Sequence, residues 1–143
     1  MASIPIGSST LILNGYTINN FVEGDYIDLN PLNPLSERLN GANNSFTVTH
    51  RIDSNVYDCV FRVLRHSGDD VILTGFINQN PIVVFNGSLK EQYLDTAGGG
   101  GGIENWTLEG GTFTTLPVHK KNNQTGNHVV EYTIQFRNAK RVL

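Results

Sequence analysis

Four histidines, one cysteine and thirteen acidic side chains are the groups in this 143-residue chain that can ligate a metal, attack a carbonyl or move a proton. His50, His66, His119 and His128 follow no metal-ligand spacing, so surface or core positions are their expected place. Cys59 stands alone, which excludes an intramolecular disulfide framework. It alternates with Tyr57, Phe61 and Val63 as a strand residue does, and its expected role is that of a small apolar core group. The glycine run at 98–102 lacks the Lys-Ser/Thr of a phosphate loop and reads as a flexible connection. No nucleophile-elbow motif and no dinucleotide fingerprint occurs. Carboxylates are plentiful, but no pair is singled out for acid–base work. The expectation is a non-enzymatic chain with no cofactor and no metal.

Composition narrows the class further. Charged residues make up 16% and hydrophobic residues 38%, too little charge for a disordered chain, and the length suits a single domain spanning 1–143. The net charge of −3 argues against a nucleic-acid binder, as does the placing of aromatics at alternating positions and not on a basic face. That charge is unevenly spread: residues 1–70 hold eight acids and four bases, whereas 120–143 hold five bases and one acid. Arg137, Lys140 and Arg141 in that basic tail can meet an acidic front head to tail between copies, or simply be solvated. The first residues lack the basic and apolar regions of a signal peptide, and no run is long enough to span a membrane.

The elements that would position these groups are mostly strands. Asn14-Gly15 between two apolar runs, 10–13 and 16–21, is a strong hairpin signal, because both central positions accept positive φ. A short strand at 26–29 precedes the stretch 30–44, where Pro31, Pro34 and Gly41 exclude a regular central strand. Its Leu32, Leu35 and Leu39 make it either a docking arm or a loop folded down on its own domain. Strands follow at 45–51 and 57–64, the latter with Asp58, Val60, Arg62 and Leu64 on its second face. Ser67-Gly68-Asp69-Asp70 opens the one helix, about 67–79: Ser67 caps, Asp70 reaches back, and Ile72, Leu73, Phe76 and Ile77 give an apolar face. Pro81 ends it. Beyond lie an apolar run at 82–85 continued by 88–92 past a bulge at Gly87, a Gly-rich loop at 95–102, and strands at 104–108 and 112–116. The clearest strand, 129–137, has Tyr132, Ile134 and Phe136 alternating with Glu131, Thr133 and Gln135. Residues 140–143 remain as a tail.

Taken in order, Asn14-Gly15-Tyr16-Thr17-Ile18, Phe21-Val22-Glu23-Gly24-Asp25, the long loop, two strands and the capped helix resemble the tail tube proteins of contractile-tailed bacteriophages. Val83-Val84-Phe85-Asn86-Gly87-Ser88-Leu89-Lys90-Glu91, Glu104-Asn105-Trp106-Thr107-Leu108-Glu109-Gly110-Gly111 and Glu131-Tyr132-Thr133-Ile134-Gln135-Phe136-Arg137-Asn138-Ala139 extend the likeness over nearly the whole chain. The glycine run departs from it.

The resemblance implies a mainly β fold, a β-sandwich or partly closed barrel of antiparallel sheets with one flanking helix. It implies hexameric rings stacked into a hollow tube that conducts DNA, with sheath and baseplate proteins as partners, in a virion tail assembled in host cytoplasm. Asp58, Glu131, Thr133 and Gln135 are then the expected lumen-facing residues, where acids repel passing phosphates without binding DNA. Pro31, Leu32, Pro34, Leu35 and Leu39 are the expected ring-stacking loop. Two other readings stand beside this one: a tube initiator, baseplate or type VI-like component on the same fold, and a β-sandwich carbohydrate-binding module using Trp106 with Tyr93 or Tyr26. A hydrolase comes third.

Overall fold

A computed structural model describes residues 9–22, 26–93, 102–118 and 128–143. The element order is β1 (Ser9–Leu13), β2 (Tyr16–Thr17), β3 (Ile27–Pro31), β4 (Ser36–Asn40), β5 (Phe46–His50), β6 (Tyr57–Leu64), α1 (Gly68–Ile77), β7 (Phe85–Tyr93), β8 (Gly102–Phe113) and β9 (Val129–Val142). Seven strands form one antiparallel sheet in the order β2-β1-β7-β8-β9-β6-β3, while β4 and β5 pair only with each other. Among the described residues the fold is therefore mainly β with a single helix, as the sequence implies.

The sheet curls around its own core and does not close. Residues 18–22 run across one end of the opening. The Ile18 amide donates to the Leu11 carbonyl at 2.9 Å, and the Leu64 amide donates to Asn20 at 2.9 Å. Period-two alternation then directs Leu11 and Leu13 of β1, Cys59, Phe61 and Val63 of β6, and Val130, Tyr132, Ile134 and Phe136 of β9 into one buried cluster. Cys59 is fully buried there, which pushes its thiol up to about 12, so it is the inert core group expected.

Two features of the helix are as expected. The Ser67 side chain accepts from the Asp70 amide at 3.3 Å, and Asp70 reaches back to the His66 amide at 2.9 Å. Leu73 is fully buried, contributing about 1.5–3 kcal/mol, and Phe76 meets Phe85 edge-on at 5.2 Å. Ile72 lies at the rim of that face, 38% exposed.

Several boundaries differ from the sequence reading, each for a local reason. The apolar run 82–85 delivers only Phe85 to a strand; Ile82 and Val84 stay exposed. Asn14 of the hairpin turn, at φ 50°, takes the place of a strand partner, donating to the Val84 carbonyl and accepting from the Asn86 amide. The expected bulge is present, as register shifts between Phe85 and Gly87 against β8. Gly87 itself is fixed by crowding, because a Cβ there would stand 1.8 Å from the Ile12 carbonyl oxygen. The strands expected at 104–108 and 112–116 are one continuous β8. Gly110 absorbs the bend at φ 65°, its amide held by Asn86 Oδ1 at 3.0 Å. The expected tail is no tail: Lys140, Arg141 and Val142 belong to β9, opposite Thr107, Trp106 and Asn105. The Gly-rich loop at 95–102 lies outside the described residues except for Gly102.

Candidate functional site

Asp58, Glu131, Thr133 and Gln135 come together on the outer face of β6 and β9. In the antiparallel register Asp58 stands opposite Gln135, Val60 opposite Thr133, and Arg62 opposite Glu131. The adjacent strand β3 adds Asp28, opposite Val60, and Asn30, opposite Asp58. This strip thus carries three carboxylates, Asp28, Asp58 and Glu131, around one guanidinium. Arg62 binds Glu131 at 3.0 Å and Asp28 at 3.3 Å. The net balance is acidic, but the sequence reading missed that a cation sits at its centre. The alternation that put Arg62 on the outer face was the available signal.

The stretch 30–44 is not a plain loop. Pro31 ends β3, and residues 36–40 form β4, which pairs with β5 into a separate two-stranded arm. Every residue of β4 and β5 is exposed. Leu39 is 72% exposed, Leu35 68%, and Phe46 and Val48 55% each. Leu32 and Pro34 lie near the base of the arm, Leu32 with its amide on the Val56 carbonyl at 3.1 Å. The exclusion of a central strand holds, since among the described residues β4 pairs with β5 only; the prolines precede it without entering it. Phe46 and Val48, expected as ordinary sheet residues, belong to the arm. Asn43 and Asn44, both at φ near 60°, turn its tip, and the Gly41 amide donates to the Ser45 carbonyl at 2.7 Å.

Cross-strand register divides the arm into two faces. Arg38 stands opposite Val48, with Phe46 two pairs further on and therefore on the same face, and the Arg38 guanidinium lies 4.0 Å over the Phe46 ring. Glu37, Leu39, Thr47 and Thr49 take the other side. At the base, Arg51 clamps Asp53 at 2.8 Å and Glu37 at 3.1 Å. The Arg51 hydrogen bond holds the Asp53 carboxyl below its ordinary value, and Asp53 in turn raises Arg51.

Of the expected basic contact, Arg141 is engaged within the chain, bonded to Glu104 at 2.6 Å. Arg137 and Lys140 are exposed on β9. Glu104 also accepts the Trp106 indole N–H at 3.1 Å, and Tyr57 meets the Trp106 ring edge-on, so this tryptophan is half-buried among its own neighbours. Tyr26 is likewise occupied, donating to Ser9 at 2.8 Å and lying 4.7 Å from the Phe21 ring. The side chain of Tyr93 lies outside the described residues.

Sequence reasoning also missed Asp69. Expected only as a helix-end charge, it is 1% exposed, and its two oxygens take the Tyr16 hydroxyl at 2.5 Å and the Asn19 and Asn20 amides at 2.7 and 2.6 Å. Its neighbour Asp70 accepts from the Tyr132 hydroxyl. Both tyrosines are pushed up to about 12, Tyr16 chiefly by the bond to Asp69 and Tyr132 chiefly by burial. The signal was present, since Asp69, Leu73 and Phe76 share one helical face.

Ser54 and His50 are the one hydroxyl–imidazole pair recorded among the described residues, 3.4 Å apart. No group of three or more metal-ligating side chains is found among the described residues, and no helix is long and apolar enough to cross a membrane. The built features are thus a charged strip, an exposed arm and a braced helix.

Comparison with solved structures places this architecture. The chain matches a chain of the PVC sheath–tube complex, an extracellular contractile injection system in its extended state, with a TM-score of 0.67 at 13% identity over 98% of this chain and 91% of that one. The fold is tail-tube-like. A PVC sheath/tube terminator shares this tail-tube-like fold at TM-score 0.63 and 11% identity, over 100% and 99% of the two chains. The tube-terminating cap of the anti-feeding prophage does so at 0.63 and 10%, over 99% and 92%. Neither a family profile nor a curated protein sequence matches the chain.

Proposed function

We propose that this chain is a structural, non-enzymatic subunit that joins copies of itself into hexameric rings, stacked as the hollow inner tube of a contractile tail. The observation that carries the reading is the β4–β5 arm. A two-stranded hairpin alone is marginal in water, and this one buries none of its strand residues. A neighbour supplies the missing contacts. The outer side of β3 is a second open border, since among the described residues β3 pairs with β6 only, and strand addition by an adjacent subunit completes it.

In that assembly Asp58, Glu131, Thr133 and Gln135 line the bore, joined by Asp28. Their acidic balance keeps a polyanionic DNA from adhering within about 8–10 Å at physiological salt. The arm, with Pro31, Leu32, Pro34, Leu35 and Leu39, carries the contact between rings. Arg137 and Lys140 are free to face a neighbour's acids. Sheath and baseplate proteins are the further partners, in a virion tail assembled in host cytoplasm.

A second reading is a terminating ring on the same fold, supported by end-to-end coverage of both this chain and the terminator. Negative-stain electron microscopy of the purified chain separates them. Long tubes favour the tube subunit and single rings the terminator. A monodisperse monomer at high concentration overturns both.

A further inference from the structure

The molecule presents a second apolar feature that the arm does not touch, a recess and not a projection. A cleft of about 210 Å³ lies at the carboxyl end of α1, walled by Phe76, Ile77, Ile82, Val83, Phe113 and Leu116. Leu116 is 74% exposed and Ile82 69%. Small-molecule sites run to about 300–1,000 Å³, so this cleft is sized for one or two side chains.

We propose that the cleft receives the arm of a second copy of this chain, with Phe46 and Val48 entering it and Arg38 facing the carboxyl end of α1. This rests on the self-assembly reading and names the surface that assembly uses. Three observations support it. The arm's apolar pair and its cation occupy one face, with Arg38 already seated over Phe46, so anchor and charge arrive together. The receiving end is complementary: the negative pole of α1 has no basic residue in its last turn, and among the described residues no charged side chain lines the cleft. Finally, projection and recess are different patches of one chain, so the contact is head to tail. Such a contact either closes into a ring or propagates as a filament, and it does not stop at a two-fold dimer.

The test uses two surface variants of the full chain, Val48→Cys and Leu116→Cys, each alone and as an equimolar mixture under assembling conditions. Buried Cys59 stays silent. The expected result is a covalent dimer in the mixture after oxidation or short bismaleimide treatment, and a ladder of multimers when one chain carries both changes. Each variant alone gives none. Sedimentation and microscopy on the same samples separate the two failures. Polymers without a cross-link in the mixture overturn this docking and leave the assembly reading standing; the same holds if the doubly changed chain cross-links only within itself. A monomer under all conditions overturns both. Independently, Arg38→Glu raises the concentration needed for assembly on the order of tenfold by placing an anion against a negative helix end. An unchanged assembly threshold overturns the charge component.

Discussion

The seven-stranded sheet and the β4–β5 arm are built from the same kind of strand, yet they meet opposite fates. In β6, every second residue from Cys59 to Val63 is fully buried, because Leu73 of the helix and inward residues of the curled sheet such as Leu11 and Leu13 share the core with them. In β5, Phe46 and Val48 alternate just as regularly, and both remain exposed. Alternation specifies which residues share a face. It does not specify that the chain itself supplies the opposite wall. Here the core face of the sheet is covered from within the chain, whereas nothing among the described residues covers the arm, so the residues that hold the fold together and those left exposed on the arm are different sets.

That separation can be broken in graded steps. Phe61→Ala, in the core, should lower unfolding free energy by about 3–5 kcal/mol through the cavity it leaves, read as a fall in the denaturant midpoint. Asp69→Ala comes next, at about 2–3 kcal/mol, since it strips a buried acceptor from Tyr16, Asn19 and Asn20. The same measurement checks it. Tyr16→Phe should cost about 1–2 kcal/mol at neutral pH. Its pH signature is distinct: the Tyr16 phenol is raised in the folded chain to about 12. The unfolded value is about 10, so the stabilisation is complete below about pH 10 and is lost as pH rises through the folded value. Removing the hydroxyl should flatten that alkaline limb, with Tyr132 supplying what remains. The smallest effect on stability belongs to the arm. Phe46→Ser should leave the denaturant midpoint of the monomer within about 0.5 kcal/mol while abolishing assembly in sedimentation. If Phe46→Ser unfolded the monomer, the division between the two regions would be wrong.

The sequence revealed the local elements well. Asn14-Gly15, the Ser67 cap and the strand around Phe136 are signals that act within a few residues, so they can be read without knowing the fold. What stayed hidden depends on partners far away along the chain. Residues 36–40 look like loop because two prolines precede them and a glycine follows, and only pairing with β5 makes them strand. Arg141 looks like part of a free basic tail until Glu104, 37 residues earlier, claims it. The exposed stretch was legible as a set of leucines, while the face shared by Phe46, Val48 and Arg38, opposite that of Leu39, emerged only through cross-strand register. The acidic strip was legible residue by residue, but its central cation became part of it through long-range pairing with Asp28 and Glu131. Asp69 was the hardest to foresee: a charged group is an improbable core residue until backbone amides from a distant turn are known to converge on it.

Asp69 and Asp70 are consecutive, and that adjacency has a mechanical meaning. One takes its tyrosine from β2 at one border of the sheet, the other from β9, four strands further across it. A single turn of helix therefore ties two distant parts of the curled wall to one rigid peptide unit, as a tie rod holds the sides of an arch. Any force that flattens or pinches the curl must pull against both carboxylates together, so the curvature of the wall is held from inside the chain.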